Sequence, residues 1–131
     1  MLTRKMLISI AAASVLSTAA LAQTATTEGT FVRAQPTDVL SYNLIGLNVT
    51  NTAKENIGEI KDLIISNEQL TGYIVSAGGF LGMGEHYVVV SPRSLKVNYV
   101  EADKKWYATM NATKDQLKAA PEFKYEGRWK R

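Results

Sequence analysis

The sequence contains no cysteine, one histidine and only three prolines among its 131 residues. Without cysteine the chain can form neither a disulfide nor a thiolate metal site, and it has no thiol nucleophile. His86 alone supplies too few ligands for a metal ion, and the sequence identifies no partner that would orient it in a catalytic triad. We therefore expect no metal, no cofactor and no enzymatic activity.

A large excess of positive charge is also missing from the part of the chain that should fold. The whole sequence has 15 basic and 12 acidic residues and a net charge of +3. Two of the basic residues, Arg4 and Lys5, belong to the N-terminal segment. Without them 13 basic residues face 12 acidic ones, whereas nucleic-acid-binding domains usually carry a strong basic excess. We expect no nucleic-acid partner.

The N-terminal segment has the pattern of a cleavable secretory signal. Arg4 and Lys5 precede an apolar run over residues 6–15, and the Ala-Leu-Ala of residues 20–22 forms a small-x-small cleavage site. The apolar run is short for a membrane-spanning helix, which needs about 20 residues, and serine interrupts it. The sequence therefore predicts cleavage near Ala22 and a periplasmic or secreted mature protein.

The region after this signal is dominated by short apolar segments separated by turns. Runs of Ile, Val, Leu and Tyr bounded by Gly, Asn and Pro are typical of strands. They predict strands at residues 44–49, 57–66, 72–77, 87–90, 95–99 and 106–110. Five to six strands of this length favour a small β-barrel, because closure of the sheet removes exposed edges. The predicted fold class is therefore all-β, with a short C-terminal helix.

Two local patterns refine this fold. The alternation of apolar residues breaks near Lys61 and Asp62, which predicts a β-bulge there, and we expect Asp62 to form a hydrogen bond at that bulge. Thr113 and Gln116 form a capping-box pattern that predicts the start of the C-terminal helix, and Pro121 should end it. The helix is too short to be stable alone, so it should pack on an end of the barrel.

Three stretches together resemble a PRC-barrel domain. They are LIGLNVTN from residue 44, IGEIKDLIIS from residue 57 and TGYIVSAGGFLGMGEHYVVVSPRSLKV from residue 71. The most telling parts are the pairs Ile45-Gly46 and Ile57-Gly58 and the strand end Val-Val-Val-Ser-Pro. The signal peptide and residues 106–123 are similar to exported single-domain members of the alphaproteobacterial type. The resemblance implies a docking platform for other proteins and brings no catalytic residue.

These patterns divide the chain into four parts. Residues 1–22 are the predicted signal peptide, and residues 23–35, which are small and polar, are a predicted flexible linker. Residues 36–123 are the predicted PRC-barrel domain with its C-terminal helix. Residues 124–131 form a basic, aromatic tail.

A glycine-rich loop after the third predicted strand is the first candidate binding site. A phosphate-binding loop would need a Gly-Lys-Ser/Thr sequence that opens a helix, and strand residues follow here instead. The glycines could present the apolar side chains of the loop to a partner. Those side chains could also fold inward and plug one end of the barrel, so both interpretations stay open. The loop consists of Gly79, Phe80, Leu81, Gly82, Met83 and Gly84.

The C-terminal tail is the second candidate binding site. Interleaved basic and aromatic residues suit an anionic membrane surface, although Glu126 reduces the net charge of the patch. A solvated or frayed terminus is the alternative. The residues concerned are Lys124, Tyr125, Arg128, Trp129, Lys130 and Arg131.

The function expected from these observations is that of an exported, non-enzymatic interaction module of the cell envelope. Its expected partner is another envelope protein, with a weak contact between the tail and an anionic membrane surface. The alternative is a periplasmic barrel that binds a small molecule or a lipid, which requires a roomy apolar interior. A barrel of five or six strands is normally filled by its own side chains. The sequence favours no particular oligomeric state.

Overall fold

The computed structural model describes residues 29–78 and 84–131, and the chain divides after Asp38 into two units. The predicted signal peptide and residues 23–28 of the predicted linker lie outside the described residues. Residues 29–38, the described part of the first unit, contain no helix or strand. They end in a turn in which the Asp38 N–H donates to the Gln35 carbonyl and the Gln35 N–H donates to the Asp38 carboxylate.

The described residues of the second unit form a mostly β structure, which confirms the predicted fold class. Its strands are β1 (Asn48–Thr50), β2 (Asn56–Ser66), β3 (Gln69–Ala77), β4 (His86–Val90), β5 (Leu95–Val100) and β6 (Lys105–Met110). Its helices are α1 (Ser41–Leu44) and α2 (Lys114–Ala119), and a 3-10 turn follows at Gly127–Trp129.

The prediction of a strand at residues 44–49 is wrong over most of that range. Leu44 is the last residue of α1, and β1 begins only at Asn48. Gly46 has a φ of +90°, which glycine adopts readily and other residues rarely do. The Gly46 N–H donates to the Ile60 carbonyl, and the Ile60 N–H donates to the Leu47 carbonyl. The glycine therefore bends the chain against β2 before the first strand starts.

The strands that the structure describes form one sheet in the order β4-β3-β2-β1-β6-β5. Neighbouring strands run antiparallel except for β1 and β6, which run parallel. Within the described residues no ladder joins β4 to β5, so the sheet is not closed and the expectation of a closed cylinder is wrong. The edge of β4 is partly covered in another way, because the Phe123 N–H donates to the Tyr87 carbonyl at 2.6 Å.

The hydrophobic core lies on one face of this sheet, which we call the inner face. Alternate strand residues point to it, as the two-residue period of a strand requires. Ile57, Ile60 and Val75 are fully buried there. Leu117 of α2 joins the same cluster and is also buried, so α2 packs on the sheet.

Both local sequence predictions are confirmed. The register of β2 against β3 shifts between Ile60 and Asp62, so Lys61 is the extra residue of a β-bulge. The Asp62 carboxylate accepts a hydrogen bond from the Leu63 N–H at 2.9 Å. At α2, the Thr113 side chain and the Gln116 side chain form the reciprocal capping box.

Candidate functional site

The opposite, outer face of the sheet is covered by the end of the chain, residues 120–131, which we call the C-terminal segment. Ile74 of β3 lies between Tyr73 and Val75, which belong to the core, so its side chain points to the outer face. Ile74 is nevertheless only 3% exposed. Phe123 and Tyr125 lie beside it and are half-buried. β3 is therefore covered on both faces, by the core inside and by the C-terminal segment outside.

Aromatic contacts hold the C-terminal segment on the outer face. The Tyr125 ring meets the Tyr87 ring of β4 edge-on, with 5.2 Å between centroids, and meets the Phe123 ring in the same way at 5.1 Å. Phe123 in turn lies 5.5 Å from Trp129. Such pairs contribute about 0.5–1.5 kcal/mol each beyond the burial of area. These contacts anchor Phe123 and Tyr125 to the sheet, whereas residues 126–131 are exposed.

An apolar groove of about 590 Å³ opens between these rings and the strands β2 and β3. Ile65 and Trp129 in its lining are 63% and 61% exposed. A volume of this size falls within the range of about 300–1,000 Å³ that is typical of ligand pockets, and grouped exposed apolar residues mark interaction sites. The apolar lining consists of Leu63, Ile64, Ile65, Ile74, Phe123, Tyr125 and Trp129.

Two charged residues, Asp62 and Arg131, also line the groove. The Tyr125 hydroxyl lies 3.5 Å from Asp62 Oδ2, and the Arg131 guanidinium lies 5.0 Å from the centroid of the Tyr125 ring, in cation–π contact. Burial raises the pKa of Tyr125, so this hydroxyl stays protonated and can donate to Asp62. Among the residues described, neither Asp62 nor Arg131 forms a salt bridge.

A polar network borders the aromatic contacts and links β2 to the start of β4. Lys61 Nζ lies 2.9 Å from Glu59 and 3.7 Å from Glu85, and the Tyr87 hydroxyl donates to Glu85. The hydrogen bond from Tyr87 lowers the pKa of Glu85, and the same bond raises the pKa of Tyr87. The hydrogen bond to Glu59 raises the pKa of Lys61. Glu85 is therefore ionised at neutral pH.

A smaller, polar depression of about 280 Å³ lies next to this network, with Glu59, Ser76, Glu85 and Lys114 in its lining. Across residues 29–78 and 84–131, no three His, Asp or Glu side chains lie together as a metal site would need. In the same two ranges, no helix has the length and apolar character required to cross a bilayer.

The candidate residues of the tail divide into two groups. Tyr125, Trp129 and Arg131 come together in the groove lining. The other three are exposed and do not line the groove; they are Lys124, Arg128 and Lys130. The contact of this tail with a membrane surface stays a prediction.

The candidate glycine-rich loop lies almost wholly outside the described residues. This applies to Gly79, Phe80, Leu81, Gly82 and Met83. Gly84 is described, with a φ of +72° and open space where a side chain would begin. Its role as a partner-binding loop stays a prediction.

Sequence reasoning missed most of the apolar lining of the groove. Ile64, Ile65 and Ile74 were assigned only to strands, and Phe123 only to the end of the predicted domain. A usable signal was present in β2, where the bulge leaves apolar residues on both faces of one strand. Asp62, an acid in an apolar strand, was a second signal, because it marks the polar end of the same surface.

The described residues of the second unit thus form a small, barrel-like β module, whose six-stranded sheet is not closed and whose capped α2 lies against β2 and β3. The family model of the PRC-barrel domain matches residues 36–117, which is more than half of the chain. The chain therefore belongs to the PRC-barrel domain family, as its sequence resemblance predicted. No curated protein matches the chain.

Proposed function

We propose that this protein is an exported, non-enzymatic docking module of the cell envelope that binds another envelope protein. The observation that carries this proposal is the apolar groove on the outer face, with Ile65 and Trp129 exposed at its surface. Transfer of apolar side chains of a partner into this groove is favourable by roughly 25 cal/mol per Å² of buried area. Aromatic residues such as Trp129 are also the side chains that most often dominate protein interfaces.

Two further features support the proposal. The signal pattern of residues 1–22 supports export. The charged groups beside Tyr87 are engaged with one another, because Lys61 pairs with Glu59 and with Glu85 and the Tyr87 hydroxyl donates to Glu85, which supports a structural role for this network. The docking role of PRC-barrels, which the family membership implies, is a further argument by analogy of fold.

A small molecule or lipid is the second candidate for the bound partner, and the volume of the groove favours it. Such a ligand would lie on the outer face. The inner face is filled by its own side chains, since Ile57, Ile60 and Val75 are completely buried. This candidate therefore differs from the alternative that the sequence suggested, which placed the ligand inside the barrel.

Crosslinking in the intact periplasm, followed by mass spectrometry, tests the docking function. We expect one dominant protein partner for the wild type. The double substitution Ile65→Ser and Trp129→Ser should abolish its capture without a change in the circular dichroism spectrum. The matched control is Tyr42→Ser, which replaces a 75% exposed aromatic residue that does not line the groove.

A second double variant separates the groove from the loop. If Phe80→Ser with Met83→Ser abolishes capture while the groove variant retains the partner, the loop is the docking site and the groove assignment is wrong. If the wild type captures no protein but carries a bound ligand in native mass spectrometry, the ligand-binding candidate replaces the docking function.

A further inference from the structure

We propose that the groove recognises a cationic side chain, so that the docking segment of the partner carries Arg or Lys next to a large apolar residue. This inference rests on the proposed docking function and specifies the chemistry of the partner at the same groove. It follows from three features of the lining: the arrangement of the rings, the position of Arg131, and the carboxylate of Asp62, which forms no salt bridge among the described residues.

The rings of the groove are arranged at angles to one another. Phe123 and Tyr125 are perpendicular, with an interplanar angle of 90°, and Trp129 is tilted by 40° from Phe123. Ring faces that point in different directions can surround a cation, because the face of each ring carries negative potential. Ammonium and guanidinium groups bind to ring faces in this way.

Arg131 shows that one of these ring faces accommodates a guanidinium. Its Cζ atom lies 5.0 Å from the centroid of Tyr125, within the distance of about 6 Å at which a cation and a ring attract each other. The Arg131 side chain is exposed and forms no salt bridge among the described residues. An exposed contact of this kind is weak, so a cation from a partner can displace Arg131.

Asp62 supplies the charge that such a cation needs. The Leu63 N–H fixes its Oδ1 atom at 2.9 Å, and Oδ2 lies near the Tyr125 hydroxyl. No Lys or Arg of the described residues lies within salt-bridge distance of this carboxylate. The nearby Lys61 is paired with Glu59 instead. A carboxylate beside Ile64 and Ile74 therefore favours a ligand with a cation and an apolar group side by side.

The test uses two synthetic probes that differ in charge and not in shape. They are N-acetyl-phenylalanyl-arginine amide and its citrulline analogue, in which a neutral urea replaces the guanidinium. The chain carries Trp106→Phe, so that Trp129 is the only tryptophan, and its fluorescence reports binding. We expect the arginine probe to bind about fivefold more tightly than the citrulline probe.

Two variants relate this preference to the proposed contacts. Asp62→Asn should reduce the preference for the arginine probe to less than twofold, whereas Glu101→Gln, the same charge change on an exposed turn, should leave it unchanged. Arg131→Gln should tighten binding of the arginine probe severalfold, because it removes the competing cation. If Asp62→Asn fails to fold, the affinity of Arg131→Gln for the arginine probe still tests whether the groove recognises a cation. Arg131 is exposed, and its replacement leaves the core intact.

Three results would overturn the inference, and a fourth would overturn the docking function. Equal affinities for the two probes would show an apolar groove without cation recognition. Absence of probe binding, with partner crosslinking still sensitive to Ile65 and Trp129, would leave the docking function in place and remove the inference alone. Binding to phosphatidylglycerol vesicles that Trp129→Ser abolishes, without a response to the arginine probe, would assign the groove to lipid. Arginine-selective binding without any protein partner would instead defeat the docking function and keep the cation site.

Discussion

Val75 and Ile74 are neighbours on β3 and both are buried, but different parts of the chain bury them. Val75 is enclosed in the core, together with residues of the other strands and α2. Ile74 is covered by the C-terminal segment, which is held by aromatic contacts and by the backbone hydrogen bond from Phe123 to Tyr87. The inner face therefore stabilises the fold, whereas the outer face is covered less completely and leaves a groove.

The largest expected effect is the loss of stability when an isoleucine is replaced by alanine, once on the inner face and once on the outer face. Ile60→Ala should lower the free energy of unfolding by about 4 kcal/mol, because it leaves a cavity in a fully enclosed core. Ile74→Ala should cost about 2 kcal/mol, since the C-terminal segment can move to fill part of the space. Urea unfolding at equilibrium measures both values. An Ile74→Ala effect as large as that of Ile60→Ala would show that the two faces are equally rigid.

Removal of the cover should have the next largest effect. A chain truncated after Glu122 loses the aromatic contacts and the Phe123 hydrogen bond, and we expect it to be destabilised by about 2 kcal/mol. It should remain folded and bind the dye ANS, because Ile74 becomes exposed. A chain truncated after Glu126, which keeps Phe123 and Tyr125, is the matched control and should lose less than half as much. Complete unfolding of the shorter chain would mean that the cover is part of the core.

Loss of the cap of α2, the helix that packs on the inner face, should lower the stability by a smaller amount. Thr113→Ala removes the side-chain oxygen that accepts the Gln116 N–H and should cost about 1 kcal/mol. Thr113→Ser keeps this oxygen and should be close to wild type. Thermal unfolding compares the three proteins. Equal stability of the Ala and Ser variants would indicate that packing of Leu117 alone fixes the helix.

The smallest expected effect is the pH dependence of the polar network on the outer face. Because Tyr87 lowers the pKa of Glu85 from its ordinary value of 4.5, the folded state binds this proton less readily than the unfolded state. The hydrogen bond therefore stabilises the fold above about pH 4.5, and this contribution is lost as the pH falls through the lowered pKa. Urea unfolding between pH 7 and pH 3 should show a shallower decline for Tyr87→Phe, which keeps the ring contact with Tyr125. Identical pH profiles would contradict this account.

Features that depend on local sequence could be predicted. The alternation of apolar residues identified β2 to β6, the break at Lys61 identified the bulge, and the spacing of Thr113 and Gln116 identified the cap of α2. Residues 41–44 were less predictable, because a four-residue helix before Gly46 leaves little periodic signal. The lack of pairing between the edge strands β4 and β5 could not be predicted, because strand patterns carry no information on whether a sheet closes.

The candidate site depends on contacts between distant parts of the sequence, and these were not predictable. Tyr125 meets Tyr87 and approaches Asp62, although 38 and 63 positions separate it from these residues. No local pattern indicates that the basic, aromatic tail lies on the outer face of β2 and β3. Its composition indicated an interaction site, but only the fold brings Tyr125, Trp129 and Arg131 together with the isoleucines.

The most direct test of the central claim is site-specific photocrosslinking in the cells that produce the protein. A photoreactive benzoyl-phenylalanine is introduced at Ile65, within the groove, or at Tyr42, which is more exposed but does not line it. We predict that the probe at position 65 captures one dominant protein and that the probe at position 42 does not. Capture of the same protein from position 42 alone, or equally from both positions, would contradict the outer-face groove as the docking surface.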